Sequence, residues 1–301
     1  MKTVVKMLCA ASLFSLVFTS CKKDQESPDT FSEDQIVAYD QNQTDNEAEE
    51  VTALEDQVMA ANESVINGRI ASDSIVMPID SSNCARVTIF PKGNNPTGKM
   101  IMDFGTGCLC KDGRVRKGKI ISVFTDRMRK QGAVIQTSYA DFGIIRRGGS
   151  AGQYLMFDNS STKKTTTKTA PAQISDGAVL EITREVDMKM TMPDGQTFSH
   201  KGTREMKWEL NVLGNKFDNV YTTFAGSSQS GIDRKGRNYT MVVDADVVRK
   251  TACFLQGYYK PVSGQVTIQH DAKTKIVNFG DGTCDDDVEV TISGKKTRTR
   301  W

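Results

Sequence analysis

The sequence predicts an all-β protein: antiparallel sheets or a sandwich with long hairpins and two pseudo-repeated, cysteine-bridged units, preceded by one short helix. Three observations predict it. Residues 179 to 210 alternate apolar and polar with period two on both sides of a Pro-Asp-Gly turn, the signature of strands with one wet face. A unit of cysteine, strand, turn, strand, Gly-rich corner and cysteine occurs twice. The composition is rich in Thr, Val, Gly, Lys and Asp and poor in Leu, which favours strands and turns over helices.

The N-terminus reads as a targeting segment, residues 1–20. Lys2 and Lys6 precede an apolar run from Leu8 to Phe18, too short for a comfortable membrane span. Val17-Phe18-Thr19-Ser20-Cys21 then places a small residue before a cysteine. Cleavage there leaves Cys21 as a lipidated N-terminus; the plainer alternative is a secretory peptide followed by an incidental cysteine. Acyl chains contribute about 0.8 kcal/mol per buried CH₂, so the membrane is the first expected partner.

Residues 21–45 form an acidic tether expected to lack fixed structure, and 46–80 a helix and linker. Asp45 to Glu50 supplies a cap and an acidic first turn. Val51, Leu54, Val58, Ala61 and Val65 follow at helical spacing until Asn67-Gly68. The charge is divided: residues 21–80 carry 15 acids and 3 bases, residues 81–301 carry 22 acids and 34 bases, hence −12 against +12. Such an imbalance means either that the acidic segment lies against or solubilises a basic body, or that the body binds an anion.

The β body spans 81–301, with the two units at about 84–160 and 175–301. In the first, Cys84 opens Arg86 to Phe90 and Asp103-Phe104-Gly105-Thr106-Gly107-Cys108 closes it; in the second, Cys253 leads to Asn278-Phe279-Gly280-Asp281-Gly282-Thr283-Cys284. The repeat selects bridges Cys84–Cys108 and Cys253–Cys284, each worth about 3–4 kcal/mol in the chain-entropy model. Cys110 is the odd thiol. It either replaces Cys108, stays reduced, or joins Cys84 and Cys108 in a three-thiolate metal site. Strands are expected over 117–126 and 132–141, and Ser160 to Thr169 reads as an edge strand or a loop.

The hairpin fixes its own register. Leu180, Ile182, Val186, Met188, Met190 and Met192 are even-numbered, as are Phe198, Met206, Trp208 and Leu210 on the return. A two-residue turn would put the two apolar faces on opposite sides. A three-residue loop, Pro193-Asp194-Gly195 with a left-handed Gly195, keeps them together. That register sets Arg184 opposite Arg204, which requires a carboxylate, a wet edge or a small anion. It makes His200, beside Met188, a hydrogen-bonded core histidine.

Together Asp103 to Cys108, Asp112 to Ile121, Gly202-Thr203-Arg204-Glu205, Arg234-Lys235-Gly236-Arg237 and Phe279 to Asp285 resemble a family of uncharacterised lipoproteins of the Bacteroidota. The resemblance covers about residue 84 to the end, and Cys110 departs from its pattern. It implies an exported β-protein lipid-anchored to the outer membrane, on its periplasmic or its outer side, and implies no chemistry.

The expected role is non-catalytic: a binding or scaffolding module of the cell envelope or surface. The alternative is a hydrolase or sugar-binding module acting on envelope or extracellular polysaccharide. No nucleophile–base pair or cofactor motif stands out. Candidate anion-binding residues, for an anionic glycan or lipid head group, are Arg114, Arg116, Lys117, Lys119, Arg184 and Arg204. Asp281, Asp285 and Asp287 are weak calcium candidates outside the known loop spacing. No nucleic-acid partner is expected in an exported compartment.

Overall fold

The computed structural model describes residues 75–78, 85–92, 95–110, 113–145, 149–172, 177–210, 219–256, 258, 260–270, 272–285 and 287–300; ahead of these it describes Asp40, Glu47, Val51, Thr52, Leu54, Glu55, Val58, Met59, Asn62 and Ile66. Cys21, Cys84 and most of the expected helix lie outside the described residues.

The described body is one antiparallel sheet, and its strands follow chain order. They are β1 (Ile75–Pro78), β2 (Arg86–Phe90), β3 (Gly98–Asp103), β4 (Cys108–Leu109), β5 (Val115–Phe124), β6 (Val134–Ile145), β7 (Leu155–Phe157), β8 (Thr162–Thr169), β9 (Ala178–Thr191), β10 (Thr197–Leu210), β11 (Val220–Thr223), β12 (Ser228–Ile232), β13 (Asn238–Lys250), β14 (Ser263–His270), β15 (Lys273–Asp281), β16 (Asp287–Ile292) and β17 (Lys295–Arg300). A short helix, α1 (Thr251–Leu255), follows β13.

The sheet is a meander. β3 and β4 both pair with β5, β7 and β8 both join β6 to β9, and β11 and β12 both join β10 to β13. Each such pair therefore behaves as one interrupted strand. Two of the interruptions use the same chemistry. Ser161 Oγ accepts from Lys189 N (2.9 Å), and Ser227 Oγ accepts from Glu205 N (3.2 Å). A serine hydroxyl thus replaces the carbonyl that the looped-out backbone removes from the ladder.

The β9–β10 hairpin has the expected register. Phe198 pairs with Met190, His200 with Met188, and Arg204 with Arg184. Gly195 N donates to Met192 O (2.9 Å) and Met192 N to Gln196 O (2.8 Å), closing the three-residue loop. Gly195 sits at φ 84, where a side chain would be strained. Leu180, Ile182, Met188, Met206 and Trp208 are buried in the core with Val87, Met100, Ile120, Ile135, Met241 and Val277.

Two expectations need correction. The 46–80 stretch, read as a helix and linker, carries a strand at its end: β1 pairs with β2 over Ile75–Pro78. Four residues are too few to show a period. The Ser160 to Thr169 run is no edge or loop: β8 lies between β6 and β9, and Lys163, Thr165 and Thr167 point inward and are buried. Its inward side chains are polar because what they meet is polar.

Cys253 and Cys284 form a disulfide, 31 residues apart. Cys108 is also disulfide-bonded, and Cys110 is a buried thiol whose Sγ lies 3.9 Å from the Cys108 carbonyl. The two Gly-rich corners share local structure. Gly105 N donates to Asp103 Oδ1 and Gly280 N to Asn278 Oδ1, both at 2.9 Å, and Phe104 and Phe279 are both buried.

Candidate functional site

Burying a charge is costly unless it is paired and hydrogen-bonded, yet one face of this sheet buries Arg114, Arg116, Lys163, Arg184, Arg204 and Arg249. The described buried carboxylates are Asp40, Glu47, Glu55 and Asp233. Three of the four come from the acidic segment ahead of the sheet.

The best-defined contact is at Glu55. Its Oε1 accepts from Ser122 Oγ (2.6 Å) on β5 and from Thr137 Oγ1 (2.5 Å) on β6. Its Oε2 accepts from Lys163 Nζ (2.5 Å) on β8, and the same ammonium donates to Thr52 Oγ1 (2.7 Å). Glu55 and Lys163 side chains are both fully buried. Thr137 and Lys163 are cross-strand partners, so the period-two pleat delivers both to one side. Thr52 and Glu55 have helical backbone and stand three residues apart, the spacing that shares a helix face.

Two further pairs lie closer to the N-terminus. Arg114 Nη1 donates to Glu47 Oε2 (2.9 Å), both side chains buried. Arg234 Nε donates to Asp40 Oδ2 (2.6 Å), and its Nη2 also bonds Asp40 Oδ1 in a fork. Val51, Val58, Met59 and Ile66 join the apolar core beside these pairs, and Leu54 packs against it. Val51, Leu54 and Val58 are the expected stripe; Ala61 and Val65 lie outside the described residues.

Beside Arg234, Asp233 accepts from the backbone N–H groups of Lys235 (2.9 Å) and Arg237 (2.8 Å) and from Arg237 Nε (2.8 Å). Burial opposes its ionisation, but these donors outweigh burial and hold the carboxyl below the ordinary range. His270 Nε2 lies 3.2 Å from Asp233 Oδ2. His200 is buried in the same cross-strand row as His270, reached through Gly231 and Tyr239. The Tyr239 hydroxyl donates to Ser199 O (3.1 Å) and lies 3.3 Å from His200 Nδ1. Burial, then the nearby Arg204 charge, push His200 well below its usual pKa.

The remaining sequence candidates are scattered. Arg114 and Arg116 are buried rather than displayed on a surface patch. Lys117 Nζ sits 4.4 Å from the centre of the Tyr154 ring, and Lys119 pairs with Asp103 at the surface. Arg184 and Arg204 lie opposite one another and buried, with Arg204 Nη2 donating to Gln229 Oε1 (2.8 Å). Asp281 Oδ1 takes the Thr283 N–H and hydroxyl, and Asp285 Oδ1 takes the Asp287 N–H (3.0 Å). These carboxylates serve their own turn. Among the described residues no three His, Cys, Asp or Glu side chains converge as a metal site would require.

No family model, curated protein or solved structure matches this chain. Its reading therefore rests on its own geometry. Lys163, Glu55 and Asp40 were missed by sequence reasoning. The signal available was the charge imbalance, which fixes the sign of the contact and not the residues making it.

Proposed function

We propose that this chain is a lipid-anchored, non-catalytic protein of the cell envelope, held at the outer membrane through Cys21. Its basic body is neutralised mainly from within. The observation that carries this is the set of three acids, Asp40, Glu47 and Glu55, each paired with a basic side chain of the β body: Arg234 in a turn, Arg114 just ahead of β5, and Lys163 on β8. Charge spent on an internal contact is not available to recruit a large polyanion, so the anionic-glycan reading loses Arg114. The role left to the molecule is binding or scaffolding through the outer face of its sheet.

In this reading residues 46–66 form one helix whose apolar stripe and acids meet the inner face together. The two Gly-rich corners descend from one duplicated unit, for which the shared side-chain turns and buried phenylalanines are the support. Asp40 stands nineteen residues after Cys21, so the tether spans at most about 65 Å. Lipidation is tested by intact mass and by Cys21→Ser. The parent should carry acyl chains and partition into membranes, and the variant should be released as soluble protein. Protease shaving of intact and lysed cells then decides the side. A body digested only after lysis is periplasmic. A Cys21→Ser protein that still partitions into membranes sinks the anchor.

A further inference from the structure

A sheet that does not close ends in a strand with half of its backbone groups unpaired. One such strand is β17, which among the described strands pairs with β16 alone. Lys295, Lys296, Thr297 and Arg298 are all exposed, so both faces of the strand are open. The turn ahead of it fixes which backbone groups are free. Ser293 (φ 50) and Gly294 (φ 79) are both left-handed, which makes a two-residue type I′ turn. Its closing pair, Ile292 and Lys295, exchanges both ladder bonds. Lys295 and Thr297 therefore aim N–H and C=O at β16, while Lys296 and Arg298 aim theirs outward.

The side chains decide what can pair there. The strand reads Lys295-Lys296-Thr297-Arg298-Thr299-Arg300, four cations in six residues. The apolar core ends one strand earlier. Val290 of β16 is buried, and Thr297 opposite it is exposed. An incoming strand thus meets little apolar surface, and backbone bonds and charge must hold it. Lys296 Nζ reaches Glu289 Oε1 (2.8 Å) at the surface, and Arg298 stands opposite the same Glu289. One acid therefore faces two cations on that side of the strand. Like charge opposes a second β17 pairing edge to edge, and it favours an acidic strand. The described acids of this chain's own N-terminal segment, Asp40, Glu47 and Glu55, are engaged elsewhere, by Arg234, Arg114 and Lys163.

We propose that the free edge of β17 docks an acidic, extended segment of another protein as a further antiparallel strand. The backbone groups of Lys296 and Arg298 pair with it, and its carboxylates lie beside their side chains. The proposal rests on the reading of this chain as a binding module and gives that module a partner; it does not depend on the lipid anchor.

The test is fluorescence anisotropy of short labelled peptides titrated with the purified full chain. The probe alternates threonine and glutamate. One control replaces each glutamate by glutamine, and another carries an N-methyl group on each glutamate. In an antiparallel pairing the glutamates opposite Lys296 and Arg298 turn their N–H groups to β17, so methylation blocks the ladder and leaves the charge. The expected result is saturable binding of the probe at low salt, about tenfold weaker for either control and about tenfold weaker at 0.5 M salt. In the protein, Arg298→Pro removes an outward N–H and spares the β16 ladder, whereas Arg298→Ala removes the charge alone. The proline variant should bind the probe about tenfold more weakly than the alanine variant, with circular dichroism showing that both are folded. Absence of probe binding overturns the proposal. So does equal binding of the glutamine peptide, or of the N-methylated one, which would mean ion pairing without strand addition. A probe that binds only after Asp24, Glu26, Asp29, Glu33 and Asp34 are changed to their amides overturns it too, and assigns the edge to this chain's own N-terminal segment. No membrane is present, so a failed titration leaves the anchor standing.

Discussion

Lys163 and Lys164 are neighbours on one strand, and both make an ion pair. The Lys163 ammonium reaches Glu55 with both side chains fully buried, while Lys164 reaches Glu185 across the outer face with side chains 43% and 51% exposed. The chemistry is the same and the surroundings are opposite. On the wet face, water competes for both charges, so the pair contributes about 0–1 kcal/mol. On the inner face the cost of desolvation is already incurred, and the pair only offsets it. What makes the inner pair hold is the rest of the set: two hydroxyls on one carboxylate oxygen and a third on the ammonium. A buried pair of this kind specifies where the acidic segment must sit more than it adds stability.

That contrast can be broken in graded steps. The largest effect is expected from Glu55→Ala, which strands the Lys163 charge. Urea unfolding should show a loss of about 3–5 kcal/mol. Glu55→Met combined with Lys163→Met should recover most of that loss, because two apolar groups need no partner; a double variant as unstable as Glu55→Ala would mean that the polar set itself holds the segment in place. His200 gives a middle-sized effect with a defined sign. Its folded pKa lies well below the ordinary 6.5, so below that pH the unfolded chain binds a proton that the folded chain refuses. This contribution is absent at pH 7.5. It destabilises the fold by up to about 1.4 kcal/mol per unit as pH falls below 6.5. Unfolding at pH 7.5 and 5.5 should show the drop, and His200→Gln should flatten it. The smallest effect is expected from Lys164→Ala, within about 1 kcal/mol and reduced further by 0.5 M salt.

The sequence is legible where one rule decides. Period two plus the length of one loop fixes the β9–β10 register, including Arg184 opposite Arg204. It fails where two elements must be placed against each other. Lys163 sits in a Thr/Lys run that reads as an exposed edge, because a lysine is assigned to water unless its partner is known. That partner lies 108 residues earlier. Arg114 and Arg116 misled for the same reason: clustered positive charge looks like a surface patch until Glu47 is placed beside one of them. β1 was missed because four residues carry no period.

The meander has a consequence in time. Successive strands pair with their neighbours along the chain, so the sheet can grow in the order in which it leaves the ribosome, with short loops to close at each step. The acidic segment emerges first but finds its partners late. Glu47 waits for a residue 67 positions on, Glu55 for one 108 on and Asp40 for one 194 on. Bringing such distant ends together has an entropic cost that local pairing avoids. The earliest part of the chain to appear is thus the last to settle, and until it settles Asp233 is the one described buried carboxylate the sheet itself offers its cations. During that interval the unpaired cations are open to an acidic segment of any neighbouring copy of the chain.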